Sequence, residues 1–168
     1  MEDFFSRLGI ARRYTLDLDE VERCYLARSR DLHPDFHHNA SDADRQASLE
    51  GMAQLNEAAA TLREPFKRLE HLLNLHGGPT AAQEKIVEQS FLMEMMELQE
   101  SIDTAKVTGS NVDKIEADLT TRLRELLDAA GGPFDAIGPL SPSTLTVIRR
   151  QLNSAKTLMS LLRNLQAD

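Results

Sequence analysis

The chain has 168 residues, 41% of them hydrophobic and 27% charged, with a formal net charge of −8. That length allows one large domain or two small ones, and with 5% aromatic residues and no Trp the core must be built from Leu, Met, Ala and Val. The acidic balance argues against nucleic acid as a partner, because phosphate binding needs a basic face, and no run approaches the ~20 apolar residues of a membrane span.

Met1-Glu2-Asp3-Phe4-Phe5 sets acids where an export signal needs a basic start, so no export is expected and a reducing cytoplasm fits. Asp3 to Gly9 predicts one short helix ending at the glycine. After a loop, Asp17 or Asp19 can cap a helix running to about Asp31, with Leu18, Val21, Tyr25 and Leu32 on its apolar stripe. Arg23 and Arg30, seven apart, share its exposed side, while Arg28 lies closer to the stripe. Cys24 stands alone on this helix, which leaves no disulfide and no thiolate cluster.

Pro34 ends the helix, since it lacks an N–H and disfavours the helical region for His33. His33-Pro34-Asp35 therefore puts an imidazole, a fixed turn and a carboxylate between two helical patterns. As a tripeptide it is common by chance and can be a helix stop and nothing more. Ser41 or Asp42 opens the next helix, which reaches about Arg63 with Leu49, Met52, Asn56, Ala59 and Leu62 in register. Pro65 suits the first turn of another helix, carrying Phe66, Leu69, Leu72 and Leu73 to Gly77-Gly78-Pro79, the clearest boundary in the chain.

Three further helical patterns follow, separated at Gly109-Ser110-Asn111 and at Gly131-Gly132-Pro133. The first, from about Gln83 to Lys106, carries Val87, Phe91, Met95, Leu98, Ile102 and Ala105. The second carries Val112, Ile115, Leu119, Leu123, Leu126 and Ala130. The third opens near Ser141 or Ser143 and carries Leu145, Ile148, Leu152, Ala155, Met159 and Leu162. Short connections between such stripes read as an antiparallel bundle, and no strand pattern survives a count, so the fold class is all-α. At ~100° per residue the first of these helices has a second apolar stripe, Leu92, Met93 and Met96, with Glu97 and Glu100 beside it. One stripe is enough for a bundle, so the second is either buried elsewhere or is a surface for a partner.

Helix, His-Pro-Asp and helix, followed by Leu55-Asn56-Glu57-Ala58 and Leu62-Arg63-Glu64-Pro65, resemble a J-domain. The whole chain is similar to the J-domain co-chaperones of iron–sulfur cluster assembly, the HscB type. Asp3-Phe4-Phe5, Leu8-Gly9 and Tyr14 match that family's opening, and Arg68 with Leu72 to Gly77 matches its J-domain ending. Ser90-Phe91-Leu92-Met93-Glu94 with Met96-Glu97-Leu98 matches a block that general J-proteins lack. The resemblance implies a J-domain over residues 1–76, a short linker over 77–82 and a scaffold-binding three-helix bundle over 83–168. It implies that His33, Pro34 and Asp35, with Arg23 and Arg30, engage a DnaK-type ATPase chaperone (HscA-like) and stimulate it. It implies that Leu92, Met93, Met96, Glu97 and Glu100 hold the iron–sulfur scaffold protein (IscU-like). Two departures stand out: Phe36 follows His-Pro-Asp where the family usually has Lys or Arg, and Leu152 to Ala155 lack the aromatic often found there. Thr104 also replaces a frequent acid.

Other chemistry is not expected. His33, His37 and His38 cannot share a helical face across Pro34, so no metal site is predicted. No Gly-rich phosphate loop occurs, and a lone carboxylate in a surface loop offers no tuned pair, so neither a cofactor nor an enzyme is expected. The alternatives are a general J-protein and a helical binding module without an iron–sulfur role.

Overall fold

The structure, a computed structural model, describes residues 3–32 and 41–167. Among these residues every regular element is a helix: α1 Phe4–Leu8, α2 Leu18–Leu32, α3 Asp42–Arg63, α4 Pro65–Leu75, α5 Gln89–Thr108, α6 Val112–Asp135 and α7 Pro142–Gln166. They form two compact units, Met1–Leu72 and Leu73–Asp168, and α4 runs through the division.

In the N-terminal unit α1 is capped at both ends and α3 at its start. The Asp3 carboxylate accepts the Ser6 N–H at 3.0 Å and opens α1. Gly9, at φ 71°, closes it, with Gly9 N–H on the Ser6 carbonyl and Ile10 N–H on the Phe5 carbonyl. The Arg28 guanidinium lies where a Gly9 side chain would begin, which accounts for an arginine so near the apolar stripe of α2. Ser41 and Asp44 form a reciprocal capping box at the start of α3. Helices α2 and α3 run antiparallel, because Glu22 pairs with Arg63, the Tyr25 hydroxyl donates to Asn56 at 2.9 Å, and Leu32 lies over Gly51. Leu55, Ala58, Ala59 and Leu62 form the buried face of α3, with Val21, Phe5, Leu8, Leu69 and Leu72 buried in the same unit. Leu18 and Leu49, placed on the stripes by spacing alone, are exposed. Each lies in the first turns of its helix, ahead of the residues that pack.

The joint between α3 and α4 is closed by one buried side chain. Pro65 ends the ladder of α3 and leaves its last carbonyls without helical partners. The Arg68 guanidinium donates to the carbonyls of Leu62 at 2.6 Å, Tyr14 at 2.7 Å and Arg63 at 3.4 Å. It thereby ties the end of α3 to the loop before α2. His71, one turn on, accepts the Phe4 N–H at 3.3 Å and stacks on the Phe4 ring, fixing α1 to α4.

The C-terminal unit holds the three-helix bundle α5–α7. Met95 and Ile102 of α5, Leu119 of α6, and Leu158, Leu161 and Leu165 of α7 form its buried core, with Phe91, Leu98, Ile115, Leu123 and Leu126 packed against it. Two boundaries differ from the sequence expectation. Helix α5 starts at Gln89 rather than near Gln83. Asn153 of α7 donates to the carbonyls of Glu84 at 3.0 Å and Ile86 at 3.4 Å, and Arg150 pairs with the Glu84 carboxylate. Those carbonyls are thus taken by another helix, and Val87 falls before α5. Gly131-Gly132-Pro133, expected to separate two helices, lies inside α6, which continues to Asp135. Pro133 sits in the last turn, where few bonds remain to lose, and the turn is anchored by buried Ala130 and Phe134, the latter edge-on to His76 at 5.2 Å. Leu127 of α6 also joins the buried set.

Candidate functional site

Two surfaces carry the residues singled out by sequence. On α2, Arg23 and Arg30 are both exposed and lie within one helical face. Arg23 approaches Asp17 only at 3.8 Å, a surface pair worth little. Leu26, one turn from each arginine, is exposed between them. An isolated exposed leucine leaves no periodic mark, so spacing does not reveal it. His33, Pro34 and Asp35 lie outside the described residues, as do Phe36, His37 and His38.

The second surface is on α5. Leu92, Met93 and Met96 are 43, 59 and 69% exposed, while Met95 and Ile102 on the opposite side are buried at 4 and 0%. The helix therefore carries one stripe into the bundle core and leaves the other at the surface. Glu97 and Glu100 are exposed beside it, their carbonyls receiving the hydroxyls of Ser101 at 3.0 Å and Thr104 at 2.9 Å. These side chains bond back within α5, so the hydroxyls add no acidic group to the rim where Thr104 stands. Three methionine or leucine side chains on an acid-edged ridge suit an adaptable protein contact. No cluster of three or more metal-ligating side chains occurs among the described residues, and no described helix is long and apolar enough to cross a membrane.

Tertiary structure adds a feature that spacing could not reveal. Arg122 of α6 pairs through both guanidinium nitrogens with Glu94 of α5 and lies 5.6 Å from the Phe91 ring centre. The hydrogen bonds from Arg122, with its charge, hold the Glu94 carboxyl below its ordinary pKa although partial burial acts the other way. The partners are 28 residues apart, so no local pattern announces the pair. It links α5 to α6 and leaves Leu92, Met93 and Met96 exposed.

Residues 87–162 match the family model described as the HSCB C-terminal oligomerisation domain. A co-chaperone protein HscB homolog of Chromobacterium violaceum is 36% identical over 124 residues, which cover 73% of this chain and 69% of that protein. The homolog of Paraburkholderia xenovorans is 34% identical over 143 residues, 84% of this chain and 79% of its own length. Among solved structures, chaperone HscB from Vibrio cholerae superposes with a TM-score of 0.81 at 24% identity, covering 98% of this chain and 95% of that one. Human co-chaperone protein HscB gives 0.82 at 23% identity, covering 98% and 80%. These likenesses show the fold, an N-terminal J-domain followed by a helical bundle.

Proposed function

The chain belongs to the HscB co-chaperone family, and on that footing we propose that it couples an iron–sulfur scaffold protein to a DnaK-type chaperone. Residues 1–76 act as the chaperone-stimulating domain, with His33, Pro34 and Asp35 as the activating contact and Arg23 and Arg30 as an electrostatic docking face. Residues 83–168, joined through 77–82, hold the scaffold on Leu92, Met93, Met96, Glu97 and Glu100. The protein contributes binding and not catalysis, any nucleotide belongs to the chaperone, and the setting is the cytoplasm.

The observation that carries the reading is the exposed second stripe of α5. A helix that needed only to pack would place polar residues there, since exposed contiguous apolar area marks interaction sites. The test is steady-state ATP hydrolysis by a DnaK-type chaperone with and without an iron–sulfur scaffold protein. The expected result is synergy between this chain and the scaffold, lost in Asp35→Asn and in the triple variant Leu92→Ala, Met93→Ala, Met96→Ala. Truncating the three side chains is expected to weaken scaffold binding by roughly 2 kcal/mol or more with little change in thermal midpoint. Stimulation that ignores the scaffold would instead point to a general J-protein, and no stimulation at all would refute the assignment.

A further inference from the structure

Beside the exposed stripe, α5, α6 and α7 enclose an open cavity of about 450 Å³ lined by Glu88, Phe91, Arg122, Glu125, Gln151 and Ser154, with Leu126 completing the wall. That volume is far above the ~30 Å³ share of one water molecule. Its wall is partly apolar, because Phe91 and Leu126 are half-buried and pack onto the bundle core. Its one cation is already matched: Arg122 is bound to both oxygens of Glu94. Glu88 and Glu125 are exposed, and their carboxylates have no partner among the described residues. The cavity thus combines an apolar wall with two unmatched negative charges, the complement of a long basic side chain whose methylenes lie on rings and whose head stays wet.

Glu88 precedes Leu92 by one helical turn, so the cavity is continuous with the proposed scaffold face. We propose that it receives a lysine or arginine side chain of the protein held there, its stem against Phe91 and Leu126 and its cation between Glu88 and Glu125. This rests on the scaffold-binding reading of α5. It gives the partner a requirement that the apolar stripe alone does not: a basic residue at the margin of its apolar contact, directed toward α6 and α7. Charge pairs at such margins fix register and set salt dependence more than total affinity.

The experiment measures binding of an iron–sulfur scaffold protein by calorimetry across a salt series. The double variant Glu88→Gln, Glu125→Gln is expected to bind about tenfold more weakly at low salt, with a shallower salt dependence and the parent's thermal midpoint. Asp113→Asn with Glu57→Gln, both exposed and outside the cavity lining, makes the same change in net charge and is expected to bind like the parent. Equal weakening in both pairs would reduce the effect to overall charge and overturn the proposal. So would parent-like affinity and salt slope in the Glu88, Glu125 variant. The Leu92, Met93, Met96 triple variant separates the two readings: if it loses binding while the Glu88, Glu125 variant does not, only the cavity proposal falls. If the triple variant binds normally, the α5 face itself is rejected.

Discussion

Replacing Arg68 with Ala removes the side chain that closes the joint between α3 and α4. Arg68 is 5% exposed, and its two short bonds, 2.6 Å to the Leu62 carbonyl and 2.7 Å to the Tyr14 carbonyl, are charge-assisted. Bonds of that kind contribute about 1.5–3 kcal/mol each, and leaving a buried carbonyl unpaired costs a similar amount. The third, at 3.4 Å to the Arg63 carbonyl, adds little. The expected loss is therefore roughly 3–5 kcal/mol, a large share of the 5–15 kcal/mol typical of a whole domain. Arg68→Lys can reach one carbonyl but not fork between two, so it should lose about half as much. Urea unfolding followed by helical circular dichroism measures the loss, and amide hydrogen exchange assigns it. Protection should fall in α1–α4 and persist in α5–α7. If Arg68→Ala stays within about 1 kcal/mol of the parent, the clasp is not structural.

Gly9→Ala should destabilise the N-terminal unit by about 1–2 kcal/mol, because Gly9 holds φ 71° and the Arg28 guanidinium fills the space a methyl would need; an unchanged thermal midpoint would refute this. Burial holds the His71 imidazole below its ordinary pKa, with Asp3 raising it and Arg12 lowering it by smaller amounts. The unfolded chain therefore takes up a proton first as pH falls. The stability His71 provides is complete above its unfolded pKa of ~6.5 and is lost as pH drops through the lower folded value. His71→Asn, which keeps an acceptor, should flatten the fall in urea midpoint over that window, and parallel profiles for variant and parent would exclude His71 as its source. For Asp3, burial raises the carboxyl, but the Ser6 N–H and Arg12 outweigh that and hold it below its usual value.

What the sequence makes legible is what its local chemistry decides. Gly9, Ser41, Pro65 and Ser141 announce helix ends because a positive φ, a side-chain acceptor or a missing N–H acts within one turn. Long-range capture is silent. Residues 84–88 look helical until Asn153, 69 positions away, takes the Glu84 carbonyl. Gly131-Gly132-Pro133 looks like a break until Phe134 is buried. The Arg68 clasp leaves no local mark, because the Tyr14 carbonyl it reaches lies 54 positions away. In the proposed site, the second stripe of α5 follows from helical spacing, while its exposure is decided by the packing. The cavity beside it does not, because its walls come from three helices.

The same distinction bears on why α5 tolerates an apolar surface. Its inner stripe seats it in the bundle through Met95 and Ile102, with Phe91 and Leu98 packed beside them, and Glu94 pairs with Arg122 of α6. Packing therefore gains less from Leu92, Met93 and Met96, which stay 43–69% exposed, than from the inner stripe, and three exposed apolar side chains on one ridge favour unwanted association. Folding would be served as well by polar residues at these positions, whose helix propensities can equal those of Leu and Met. The ridge has a physical reason only when something covers it. Methionine fits that use, because its flexible thioether can follow the contours of another surface. The acids at its edges then favour partners with basic residues around their apolar contact. On the proposed reading, a partner supplies the burial that the ridge lacks in the isolated chain.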